Sequence, residues 1–148
     1  MVATQLQAWG VNTFLPLITQ VHRWSDRNKT VQLPLFPGYA FVRLFPSAEE
    51  RVKVLRADGV VSFVGVPGEG TPIPDEQIED IRTLLNNVRC TSHPFLKVGQ
   101  RIRVRGGCLD GIVGILVARN GNRDLVISVE PIQRSIAVSI DGYDFESV

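Results

Sequence analysis

Apolar positions recur along this chain with two different periods. Val2, Leu6 and Trp9 fall at i, i+4 and i+7, which predicts a short helix stopped by Gly10. Residues 11–18 read as a strand interrupted by Pro16, and the polar, basic run 22–30 (HRWSDRNKT) as the tip of a hairpin. The chain returns through residues 31–44. Ser47-Ala48-Glu49-Glu50 is a capping box, in which the Ser47 hydroxyl and the Glu50 carboxylate can satisfy free amides at a helix start. Ala48, Val52 and Leu55 give that helix one apolar face. Asp58-Gly59 turns the chain into a predicted strand over residues 60–64. Pro74 suits a first helical position, Asp75 and Glu76 suit a helix N-terminus, and Ile78, Ile81, Leu85 and Val88 form the apolar stripe of about four turns.

The period then changes. Residues 87–94 are polar and end in His93-Pro94, a predicted boundary. Beyond it no helix signal occurs. Ile102 and Val104 alternate with Arg101, Arg103 and Arg105, residues 112–117 form another apolar run, and Asn120-Gly121 marks a hairpin turn. Leu125, Ile127 and Val129 alternate, as do Ile136, Val138 and Ile140. Five short strands in about fifty residues predict a small closed barrel, because closure hides edges that so small a sheet leaves open. The expected organisation is α+β: a mixed domain over residues 1–88, a tether over 89–95 and an all-β barrel over 96–148.

Composition narrows the function classes. The chain has 148 residues, 44% hydrophobic and 21% charged, as in folded globular proteins. Its formal net charge of +1 argues against a protein that holds nucleic acid mainly by neutralising phosphates. Two cysteines make no disulfide framework, and neither a membrane-length apolar run nor a signal peptide is visible, so the expected compartment is the cytoplasm. No phosphate loop and no activated nucleophile with its base are present, so no enzymatic activity and no cofactor are expected. Cys90 and His93 are the only close thiol–imidazole pair, without the paired spacings of a zinc site.

Two motifs carry more. The run 33–42 (LPLFPGYAFV) sets three aromatics, two prolines and a glycine in ten uncharged residues, and reads as a strand entered through a kink. Residues 98–117 (VGQRIRVRGGCLDGIVGILV) closely resemble the KOW motif, with Gly111 or Gly114 as the glycine that lets a tight loop join two strands. With residues 59–65 (GVVSFVG) and the helix after Pro-Ile-Pro in the same order, the chain resembles the NusG family of transcription elongation factors. The basic hairpin and short tether look like its specialised antitermination paralogues of the RfaH and UpxY kind. The resemblance implies an N-terminal NGN domain, a ferredoxin-like α/β sandwich, followed by an SH3-like KOW barrel. The family's sheet begins with a strand ahead of the first helix, and Met1 here falls inside that helix. The expectation is therefore a missing N-terminal segment, a truncated chain, or a strand supplied by another chain.

The same resemblance implies partners. Phe36, Tyr39 and Phe41, with Ile78 nearby, would line an apolar pocket for the clamp helices of the β′ subunit of RNA polymerase. The plain alternative for Phe36 and Phe41 is a place in the core. Glu50 and Arg51 match the region facing the β-subunit gate loop. Arg23, Trp24, Arg27 and Lys29 could touch upstream or non-template DNA, since cations beside an aromatic suit phosphate contact and base stacking. Leu109 falls where the family contacts Rho or a small-subunit ribosomal protein. The implied activity is elongation and antitermination; the alternative is a ribosome-associated or general RNA-binding KOW protein. No membrane and no small-molecule substrate are implied.

Overall fold

The computed structural model describes residues 2–24, 27–45 and 47–148, without the side chains of residues 20–24. Three helices and ten strands follow one another in an α+β arrangement among the described residues.

The N-terminal part builds around α1 (Val2–Ala8), β1 (Asn12–Phe14), β2 (Leu17–Trp24), β3 (Arg27–Pro34), β4 (Phe41–Arg43) and α2 (Ala48–Leu55). Pro16 divides the predicted first strand. Its carbonyl accepts from the Leu35 amide at 2.9 Å, and the chain resumes as β2. β2 and β3 pair antiparallel along their whole length, from Leu17 with Pro34 to Trp24 with Arg27. Most of the expected hairpin tip is therefore strand. β1 and β4 form a separate two-stranded ladder, Asn12 with Arg43 through Phe14 with Phe41. Half of the expected capping box forms at α2: the Glu50 amide donates to the Ser47 hydroxyl oxygen, whereas the Ser47 amide donates to the Phe45 carbonyl instead of to the Glu50 carboxylate. Leu6, Val11, Val54 and Ala57 close a small core between α1 and α2, with Trp9, Val42, Leu44, Val60 and Phe63 packed around it.

Residues 60–64 do not form the predicted strand. Alternation and β-branching favour an extended chain there, but a strand needs a neighbour, and no described ladder includes this segment. Val60 and Phe63 instead anchor it to the small core, while Val61 stands 93% exposed.

Helix α3 (Asp75–Asn87) follows, with Pro74 one position earlier than expected, at the N-cap. Ile81 and Leu84 are its fully buried residues. Only Val88 and Arg89 separate α3 from β5 (Cys90–His93). The segment expected to be a tether is thus largely a strand, because Cys90 through His93 pair with Val138 through Ser135. The rest of the C-terminal sheet is β6 (Arg101–Arg105), β7 (Val113–Arg119), β8 (Asn122–Val129), β9 (Arg134–Ser139) and β10 (Asp144–Ser147). Its order is β10-β6-β7-β8-β9-β5, all antiparallel, with β10 and β5 at the two edges. The four predicted strands that were given residues correspond to β6–β9, and β10 and β5 add to them, one more than the five expected.

Gly114 in β7 is required by a close approach, since a methyl group there would meet the Val126 carbonyl oxygen at 2.7 Å and Leu125 Cδ1 at 2.8 Å. Neighbouring strands could not keep their spacing around it.

The two parts share one core. Leu35, Phe36, Ile81 and Leu84 belong to the same buried cluster as Ile102, Val104, Leu109, Leu125, Ile136 and Ile140 of the C-terminal sheet. Helix α3 packs on the 3-10 turn Gly107–Leu109, and the Gln77 side chain donates to the Ser128 carbonyl at 2.8 Å.

Candidate functional site

The run 33–42 places its aromatics by breaking the strand rather than continuing it. Pro34 ends β3, and the Tyr39 amide donates to the Phe36 carbonyl at 3.0 Å to close a turn. Gly38 occupies that turn at φ +87°, a conformation that side chains resist. The turn sends Leu35 and Phe36 inward, each 1% exposed, and leaves Tyr39 and Phe41 half-buried. Phe36 is therefore corrected from a pocket-lining residue to a core residue. It supports the site from beneath, its ring edge-on to Phe41 at 6.0 Å and 79°.

Above Phe36 lies a groove of about 530 Å³. Its apolar lining includes Phe14, Tyr39, Phe41 and Ile78, and Arg82 also borders it. Phe14 and Phe41 face each other across the β1–β4 pair at 6.0 Å. The Arg82 guanidinium sits 4.5 Å over the Phe14 ring, within cation–π range. Arg43 and Asp75 approach at 3.6 Å across the mouth, both highly exposed. Phe14 and Arg82 were not expected from the sequence. The signal available for Phe14 was its register with Phe41, which becomes visible only once Pro16 is known to split the strand.

The C-terminal sheet reaches this groove. Pro131 and Ile132 line it, and Arg134 lies 5.6 Å over the Tyr39 ring. Leu109, which the resemblance makes a contact for Rho or a small-subunit ribosomal protein, is 0% exposed in the shared core beside α3. The correction has a simple cause: the loop that carries Leu109 is covered by the first domain instead of by solvent.

The remaining expected contacts fall elsewhere. Arg51 borders the groove, while Glu50 is half-buried in the first turn of α2. Arg27 and Lys29 are exposed on β3. Arg23 and Trp24 pair with Asn28 and Arg27 through the backbone, and their side chains lie outside the described residues. On β6, Arg103 approaches Glu146 at 3.8 Å and Arg105 hydrogen-bonds the same carboxylate, so part of this basic strand is neutralised within the sheet. The Arg105 hydrogen bond, more than its charge or that of Arg103, holds the Glu146 carboxyl below its ordinary value. Burial pushes the Cys90 thiol up to about 11, whereas Cys108 is exposed and within 3.3 Å of the Tyr143 hydroxyl. No metal-binding cluster occurs among the described residues, and no described helix is long and apolar enough to cross a membrane.

Comparison with known proteins agrees with this architecture. Residues 1–82 match the family model for the transcription termination factor NusG. The chain is 26% identical over 135 residues to the transcription termination/antitermination protein NusG of Borreliella burgdorferi, covering 84% of this chain and 73% of that protein. It is 28% identical over 127 residues to the protein of the same name from Lactococcus lactis, covering 84% and 68%. The Staphylococcus aureus counterpart is 32% identical over 93 residues, covering 61% and 51%. With its N-terminal α/β part, its KOW motif and a family match over more than half its length, the chain belongs to the NusG family of transcription termination and antitermination factors.

Proposed function

We propose that this chain is a cytoplasmic elongation and antitermination factor that docks on the β′ clamp helices of RNA polymerase through the groove of Phe14, Tyr39, Phe41 and Ile78. The observation that carries this reading is the set of half-buried aromatics displayed by a proline- and glycine-shaped turn. Half-buried rings offer large contact area at small entropic cost, and Tyr39 adds a polar rim. Binding across the polymerase cleft would favour its closed, unpaused state by differential affinity. Arg51, at the same groove, suits a contact with the β-subunit gate loop. Arg27 and Lys29, exposed on the hairpin, suit contact with non-template DNA. Leu109 meets Rho or a small-subunit ribosomal protein only after the C-terminal sheet leaves α3. The neutralised arginines of β6 disfavour general RNA binding by that sheet.

The test is binding of a purified β′ clamp-helix fragment to the intact chain and to Tyr39→Ala and Ile78→Ala. Each substitution is expected to weaken binding by about ten-fold, the scale of a central interface anchor. Unchanged affinity in folded variants would overturn the assignment.

A further inference from the structure

The short connection between the two parts has a mechanical consequence. Helix α3 ends at Asn87 and β5 begins at Cys90. With β5 paired, only Val88 and Arg89 are free to span from the helix to the sheet, a reach of about 7 Å. Val88 is itself fixed, its amide donating to the Leu84 carbonyl at 2.9 Å and its side chain packed on the shared core. The C-terminal sheet is therefore held on α3 by covalent shortness as well as by packing.

β5 differs from the strands between which Leu109 lies. It is an edge strand with a single partner, β9, over four residue pairs. Thr91 and Ser92 are exposed, and His93 is half-buried. A firm clip follows it. The Leu96 amide donates to Ser135 Oγ at 3.1 Å, the Ser128 hydroxyl donates to the Leu96 carbonyl at 2.5 Å, and the two hydroxyls lie 2.6 Å apart. Ser135 is the one buried polar residue among the described residues. If β5 peels away up to this clip, residues 88–95 span about 26 Å instead of about 7 Å.

We propose that β5 is a releasable strap. Its unpairing from β9 is the step that frees the C-terminal sheet from α3 and uncovers Leu109, while β6–β10 and the Leu96 clip stay intact. As an edge strand β5 has one ladder of four residue pairs to open, and local openings of such units are a general property of native proteins. The inference does not depend on what the groove binds.

Hydrogen exchange tests it on the intact chain. Thr91 and Ala137 are direct antiparallel partners, so T91C/A137C in a C90A/C108S background can lock the strap by a disulfide. Oxidation is expected to slow exchange at residues 107–112 by about ten-fold or more, with no matching change in β7 and β8, and reduction is expected to reverse it. Slowing confined to β5 would mean that the edge frays alone, and equal slowing everywhere would mean only global stabilisation. Either result overturns the proposal. A second variant, with four Gly/Ser residues inserted between Arg89 and Cys90, needs no disulfide. It is expected to speed exchange at residues 107–112 while β5 keeps its protection. No increase there would show that the short connection is not the restraint.

Discussion

The side chain of Gln77 in α3 donates a hydrogen bond to the main-chain carbonyl of Ser128 in β8, across the boundary between the two parts of the chain. It is the one direct side-chain hydrogen bond found between α3 and the C-terminal sheet among the described residues. Gln77→Ala leaves a half-buried carbonyl without its donor and is expected to cost about 1 kcal/mol of stability. Chemical denaturation checks the magnitude. Faster exchange around Leu109, with β7 and β8 unchanged, would locate the loss at the boundary.

Phe36 and Tyr39 stand three residues apart and are expected to respond to very different degrees. Phe36→Ala removes a fully buried ring from the shared core and is expected to destabilise the fold by about 3–5 kcal/mol. Tyr39→Ala removes a half-buried ring whose described aromatic contact is the Arg134 guanidinium, worth about 0.5–1 kcal/mol. Denaturation midpoints of the two variants separate core from display.

The two thiols should differ in reactivity. Cys90 is buried and its pKa is pushed up to about 11, so at neutral pH almost none of it is thiolate. Cys108 is exposed. A thiol reagent under native conditions is expected to modify Cys108 quickly and Cys90 only slowly, with equal labelling after denaturation. Rapid native labelling of both would contradict the burial of Cys90.

Acid should loosen one edge of the C-terminal sheet. The Arg105 hydrogen bond lowers the folded-state pKa of Glu146 from an ordinary 4.5. A carboxyl whose folded pKa is depressed contributes stability above its unfolded pKa, and that contribution fades as pH falls through the folded value. The β10–β6 pairing, which joins Glu146 to Arg103, is therefore expected to weaken below about pH 4.5. Carboxyl chemical shifts should place the Glu146 titration below the ordinary value, and Arg105→Gln should move it upward.

Local periodicity carried much of this fold. The positions of helices α1, α2 and α3 and strands β6–β9 follow from spacing and capping residues, but the face of α2 does not: Ala48, Val52 and Leu55, expected on its apolar side, are exposed, and Val54 is buried instead against α1. The errors lie where a distant neighbour decides. Residues 60–64 have the composition of a strand but no partner in a described ladder. Cys90–His93 has the composition of a linker but finds the free edge of β9. Leu109 looks like a displayed residue until α3 covers it. At the groove, Tyr39, Phe41 and Ile78 were legible from the sequence. Phe36 was not, because the direction of a ring after a proline-broken strand depends on the turn, and Arg82 was not, because its partner Phe14 lies far away in the chain.

The unpaired run 60–64 also bears on the handling of the protein. It is an uncharged, β-prone segment without proline, and Val61 is almost wholly open to solvent. Such a segment can pair with its own copy on a neighbouring molecule once concentration is high enough. The flanking Asp58 and Glu69 are the nearest acidic residues that could oppose this. A formal net charge of only +1 adds little repulsion between copies to oppose such pairing.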